Sequence, residues 1–398
     1  MGKKEESIQF WMLNIASFLG QLTINMVNLS LVYHLRYTLA TSATVVGLAA
    51  STYTAVYLAG NILFSRFYQR FRPDLVVRVS LLGMGLSAAC MAISDSVPAV
   101  FVFIVLYGLF MSMLWPQVEA WITRGSEGAR LNRLTSAFNF SWSFGTGISP
   151  YFTSFLVAFS PSVSLLAAFA IFALSALMIT VITALVPSLR ISSEREHMSE
   201  KEKEEGGVDR STPLRYDSWI AVFVVYSALS VVLNIFPMYA GEAAGMDERT
   251  SGFLLLLRGL ATCAAFMTLG RMRFWQFKAW MIYLSEALFI ILALAFHRAS
   301  SVLSTGVFFT AFGILFAMCY SFSIFHGAAG ALDRGRRMVI HECVLTAGQM
   351  LGASFGGAIY QELGYSNVLV FLAIVAAIML ALQLAVRSLR SLVSPRSV

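Results

Sequence analysis

Twelve stretches of roughly twenty residues, apolar and nearly free of charge, succeed one another along the 398-residue chain and leave little room for anything else. A hydrocarbon core about 30 Å thick is crossed by roughly 20 helical residues, so each stretch predicts a membrane-spanning helix. They fall near 10–34, 44–67, 75–94, 98–122, 134–158, 163–186, 217–240, 250–271, 278–297, 302–326, 338–360 and 366–386. Lipid offers the backbone no hydrogen-bond partner, and a helix satisfies itself within one segment, so the expected fold is an all-α integral membrane protein of twelve transmembrane helices. The overall composition, 58% hydrophobic and 12% charged, excludes a water-soluble domain.

The apolar run after Lys3 and Lys4 resembles a secretory leader, but it is too long and carries Asn14, Gln21, Asn25 and Asn28, which predicts a retained first span. Cys90, Cys263, Cys319 and Cys343 all fall within spans and form no Cys-x-x-Cys pair, so neither a disulfide framework nor a metal centre is indicated. The net charge of +7 has a topological explanation rather than a nucleic-acid one. With the amino terminus in the cytoplasm, 24 of the 28 Lys and Arg lie on the cytoplasmic side. Arg36, Arg249 and Arg298 lie outside, and Arg258 lies within a span. That bias predicts a plasma (inner) membrane protein with both termini cytoplasmic. Its expected partners are the lipid bilayer and a small-molecule substrate, with protons as a further candidate. No nucleic acid is expected, and the chain is read as a monomer.

The one long polar stretch, 187–216, divides the spans six and six and carries the mixed-charge run Lys201-Glu202-Lys203-Glu204-Glu205, the signature of a solvated linker. The domains expected are residues 1–190, a linker at 191–216, and residues 217–398. Sliding the chain against itself supports two related halves. At an offset of 205, Gly47 falls on Gly252, Arg66 on Arg271, and Val102, Phe103, Gly108 and Met113 on Val307, Phe308, Gly313 and Met318. At 207, Arg130 falls on Arg337 and Gly145 on Gly352.

Two similar six-span halves joined by a charged linker resemble the major facilitator superfamily, and so does the loop after span 2. The family carries Gly-x-Leu-x-Asp-Arg-x-Gly-Arg-Arg there, of which this chain keeps Leu63, Arg66 and Arg70 and lacks the Asp and both glycines. Span 5 is similar to the family's antiporter signature, Gly-x3-Gly-Pro-x2-Gly-Gly, with Gly145, Ser149, Pro150, Thr153 and Ser154 in those places. Small residues there also suit ordinary close helix packing. The resemblance implies two pseudo-symmetric six-helix bundles, a central cavity lined by spans 1, 4, 7 and 10, and transport by alternating access.

Candidate functional residues are the polar groups placed where hydrocarbon makes them costly. A charge at mid-membrane costs about 2.5 to 3.5 kcal/mol on insertion scales and needs a partner or a task. Arg258 and Glu286 lie near the middles of spans 8 and 9, about 7 Å apart in depth at 1.5 Å per residue. Either they pair with each other, or Arg258 faces the cavity and holds an anionic group on the substrate. Glu119 and Glu342, near Arg66, Arg70, Arg130, Arg336 and Arg337, suit a cytoplasmic gate of salt bridges or the carriage of protons. His341 joins that gating set. His341-Glu342 also begins a zinc-protease motif, but Leu345 stands where the second histidine belongs, so no metal is expected.

The expected substrate-binding set is Asn25, Asn28, Tyr53, Tyr57, Trp115, Asn139, Trp142, Asn234, Tyr320 and Gln349 together with Arg258. Aromatic rings with a few amides fit a neutral or amphipathic ligand, although any one ring serves equally well for packing. The sequence has no phosphate-binding loop, no nucleophile paired with a base, and no cofactor motif. The function expected is secondary transport of a small organic solute, with export or antiport, potentially proton-coupled, preferred. The alternatives are uptake of a sugar or organic acid by symport or uniport, and a sensor or scaffold that kept the fold without transporting.

Overall fold

A computed structural model describes residues 3–68, 71–123, 128–189, 211–331 and 334–393. Among them the secondary structure is helical throughout. Spans 1 to 6 are Lys3–Tyr33, Ala43–Tyr68, Pro73–Ala92, Val97–Thr123, Gly128–Phe159 and Pro161–Leu185. Span 7 is Leu214–Asn234 continued by Phe236–Glu242. Spans 8 to 12 are Glu248–Arg271, Ala279–Phe296, Val302–Ala328, Arg334–Leu363 and Tyr365–Val393. Twelve crossings put both ends of the chain on one side, the termini face, opposite the far face. The run 190–210, most of the expected linker, lies outside the described residues.

Local chemistry sets the helix limits. Pro73 and Pro161 stand at helix starts, where a missing N–H costs nothing. Asp247 caps span 8 by accepting from the Thr250 N–H at 2.9 Å, and Gly364, with φ of +80°, turns the chain between spans 11 and 12. Two interruptions depart from simple spans. Span 1 ends in a π-turn, His34–Thr38, and Pro237 breaks span 7 because it has no N–H to offer the Leu233 carbonyl.

Packing follows the internal repeat. Span 1 packs on 5 and 6, as 7 packs on 11 and 12; span 2 packs on 4, as 8 packs on 10; span 3 packs on 6, as 9 packs on 12. Two seams join the halves, span 2 against span 11 and span 5 against span 8. The glycines that align between the halves stand where helices cross backbone to backbone. A Cβ on Gly108 would meet the Tyr53 carbonyl oxygen at 2.7 Å, and one on Gly313 the Arg258 carbonyl oxygen at 2.5 Å. Gly47 is pressed against Ala353 and Gly252 against Ser154, one contact in each seam. Only glycine admits such approaches.

The outer surface is apolar. Leu86, Leu174, Leu177, Ile291, Ile378 and Leu382, on spans 3, 6, 9 and 12, stay more than half exposed, a belt far larger than a water-soluble monomer presents. Ten of the twelve helices are apolar enough to cross a membrane by composition. The exceptions, spans 5 and 11, supply one wall to each seam.

Candidate functional site

Span 1 and span 7 face each other across the pseudo-twofold axis, and two asparagines, one from each, meet there. Asn28 and Asn234 line a small, partly open void with Tyr53, whose hydroxyl oxygen accepts from Asn28 Nδ2 at 3.2 Å. Leu31, Leu35 and Ala49 form its apolar wall. Asn234 turns its Nδ2 back to the Ser230 carbonyl at 2.8 Å. Asn25 lies deeper, donating to the Gln21 carbonyl at 2.9 Å and to Thr146 Oγ1 of span 5 at 3.4 Å.

Nearer the termini face, rings from both halves meet. Tyr320 of span 10 lies 6.2 Å from Tyr226 of span 7, 6.3 Å from Trp142 of span 5 and 5.4 Å from His341 of span 11. Phe266 of span 8 and Phe316 close on the same ring. His341 Nδ1 is 2.7 Å from Ser323 Oγ, while its Nε2 is buried without a partner. Asn139 is exposed, and its Oδ1 accepts from Trp142 Nε1 at 3.0 Å. The Trp115 ring packs against Phe138. Tyr57 and Gln349 are half-buried on spans 2 and 11. The expected binding residues thus divide between the axis void, with Asn28, Tyr53 and Asn234, and the ring cluster, with Trp142 and Tyr320.

The two readings of Arg258 separate here. Arg258 is 2% exposed and Glu286 1% exposed, yet they do not pair. Glu286 accepts from Gln383 Nε2 at 2.7 and 2.9 Å, between spans 9 and 12. The expectation of an ion pair fails because sequence gives a residue's depth but not its direction around the helix: Glu286 turns toward span 12, away from span 8. Arg258 keeps Nε and Nη2 buried without a partner. Of the gating set, Glu342 is half-buried in span 11, and the side chains of Arg66, Arg70 and Glu119 lie outside the described residues.

Two groups were not singled out from the sequence. Gln383 is a neutral amide in an apolar run and gave no signal. At the far face, Arg36 Nη2 donates to Glu242 Oε2 at 3.0 Å, Tyr360 donates to the same oxygen at 3.0 Å, and Arg36 Nη1 donates to the Thr41 carbonyl at 2.7 Å. Gln361 Oε1 accepts from the Ala43 N–H at 2.9 Å beside them. The latch ties spans 1 and 2 to spans 7 and 11. A signal existed in part, because Arg36 and Glu242 are charges of opposite sign at the far-face ends of spans 1 and 7.

A twelve-helix, two-bundle membrane fold with polar groups enclosed between its halves defines a carrier architecture. The sequence profile of the Major Facilitator Superfamily matches residues 13–330, and the chain belongs to that family. No curated protein matches the sequence. Among solved structures it is similar to a bacterial homologue of the human lysosomal transporter Spinster, inward-facing and unoccupied, at 12% identity and a TM-score of 0.76, covering 96% of each chain. A POT family transporter in complex with 5-aminolevulinic acid is similar at 12% identity and a TM-score of 0.70, covering 94% of this chain and 95% of that one. The nucleoside transporter NupG is similar at 13% identity and a TM-score of 0.68, covering 95% and 99%. At such identities the likeness is one of fold.

Proposed function

We propose that the protein carries a small organic solute across the plasma membrane by alternating access, its two halves rocking about the seams, with both termini cytoplasmic. The observation that supports this reading most is the meeting of polar and aromatic side chains from both halves, Asn28 and Tyr53 with Asn234, and Trp142 with Tyr320, between seams of closely packed small residues. A site shared by two bodies changes its exposure when they rock. Exchange or export is preferred over uptake, on the small-residue run of span 5. The far-face latch supports a conformation closed on that side.

The test begins with a thermal-shift screen of the purified protein against sugars, organic acids, amino acids, lipids and dyes at two pH values. Labelled forms of the stabilising compounds then enter counterflow in proteoliposomes. Accumulation of label against an unlabelled internal pool is expected; a sensor or scaffold accumulates none. Proton coupling makes a separate demand: at least one of Glu119→Gln, Glu286→Gln and Glu342→Gln abolishes pH-driven flux while sparing exchange. Driven flux intact in all three variants rejects it.

A further inference from the structure

Arg258 is the group in this molecule whose position is hardest to explain by packing alone. Its guanidinium, a permanent cation with five N–H donors, lies 2% exposed in the middle of span 8. Among the described residues, Nε and Nη2 are buried without an acceptor and no ion pair reaches the guanidinium. The ionisable side chains within electrostatic reach, among the described residues, are Tyr226 and Cys263, both ordinarily neutral at pH 7. The buried carboxylate of the next span, Glu286, is taken by Gln383. Structural arginines in membranes pair with carboxylates or with backbone carbonyls, and this one does neither.

The repeat sharpens the contrast. The position equivalent to Arg258 in the first half is Tyr53, 205 residues earlier, whose hydroxyl has Asn28 as its partner. The second half places a fixed positive charge at the same point, and among the described residues no carboxylate pairs with it. Around it the walls are apolar and aromatic. Tyr226 stacks obliquely 5.1 Å from Phe316, Tyr320 completes the ring cluster, and Gly259 beside Arg258 crosses Gly147 of span 5.

We infer that Arg258 is the binding residue for an anionic group, a carboxylate or phosphate ester, on a solute whose apolar body lies against Tyr226, Tyr320 and Trp142. A bidentate guanidinium contact supplies the geometry such groups need, and the rings supply area for the rest. The inference rests on the carrier reading for the word solute, but its test needs no transport.

Two measurements on the full-length purified protein test it. The first is stability without ligand. A buried arginine that serves packing through an ion pair destabilises when removed, whereas an unpaired one kept for binding relieves the fold when replaced by an apolar side chain of similar length. Arg258→Met is expected to raise the melting temperature by a few degrees, and a fall overturns the inference. The second uses Cys263, which is half-buried beside the guanidinium, after Cys90, Cys319 and Cys343 are replaced by alanine. Its labelling rates by an anionic and a cationic methanethiosulfonate are each normalised to a free thiol. The anionic-to-cationic ratio is expected to drop about tenfold in Arg258→Gln and to persist in Arg258→Lys. Phenylacetate at millimolar concentration is expected to slow the anionic reagent, while 2-phenylethanol and chloride do not. An unchanged ratio in Arg258→Gln, no labelling by either reagent, no protection by phenylacetate, or equal protection by 2-phenylethanol overturns it. Protection by chloride alone overturns the assignment to an organic solute. Failure of counterflow with this pattern intact would reject the carrier and leave the anion site standing.

Discussion

Gly259→Ala is expected to cut transport by about 5- to 150-fold while leaving a folded protein, and Gly147→Ala is expected to keep most of the activity. The two glycines face each other across the seam of spans 5 and 8, yet the crossing is not symmetric. A methyl on Gly259 overlaps the Gly147 Cα and stands 2.7 Å from its carbonyl oxygen, whereas a methyl on Gly147 meets Gly259 at 3.4 Å, an ordinary contact. Backbone cannot yield as a side-chain tip does, so the first substitution pushes two helices apart at the level of Arg258. Overpacking of this kind costs about 1 to 3 kcal/mol. Here it acts on an interface that must re-form in every cycle. Counterflow with the ligand chosen by the thermal screen reads the effect, and size-exclusion profiles check the fold. Equal activity of the two variants would remove the seam from the mechanism.

Reversing one charge of the far-face latch, Arg36→Glu, is expected to open that face, and adding Glu242→Arg is expected to close it again. Each partner is about a quarter exposed, at 24% and 26%, so solvent weakens the pair. The network of Arg36, Glu242, Tyr360 and the Thr41 carbonyl nevertheless holds two spans of each half in one geometry. Two carboxylates in place of the pair replace an attraction by a repulsion. Together these amount to about 1 to 2 kcal/mol, or roughly a tenfold shift in the population closed at the far face. Labelling of a cysteine at Asn28, by an impermeant thiol reagent applied to the far face, reads the shift. A single reversal that leaves the labelling rate unchanged, or a double reversal that fails to restore it, counts against the latch.

The spans were legible in the sequence because lipid imposes one demand on every crossing, and apolar length reports it directly. The repeat was legible for a different reason. Gly47 with Gly252, Gly108 with Gly313, and Gly145 with Gly352 align because each pair stands where helices touch backbone to backbone, and no other residue fits. Depth was legible too, so Arg258 and Glu286 were found at mid-membrane. Direction around the helix was not, because spans apolar on most faces carry no periodic signal, and Glu286 therefore turned out to serve Gln383. Span 7 reads as one run in hydropathy although Pro237 divides it. The Arg36–Glu242 latch was hidden because the sequence places each charge at the far-face end of its span and says nothing of how closely those two ends approach.

The polarity of spans 5 and 11 has a consequence for how the chain is made. Each carries a row of hydroxyl and amide side chains that neighbouring helices satisfy in the finished protein: Ser149 Oγ donates to the Leu22 carbonyl of span 1 at 2.6 Å, and Ser354 Oγ lies 2.6 Å from Ser51 Oγ of span 2. A nascent helix leaving the ribosome has no such neighbours unless they were inserted before it. Both its principal companions precede span 11 in the chain, whereas span 5 has only span 1 in place when it emerges and must wait for span 8. Biogenesis therefore passes through a stage in which the hydroxyls of span 5 are already satisfied by span 1, while the face that packs on span 8 stays uncovered until that helix arrives.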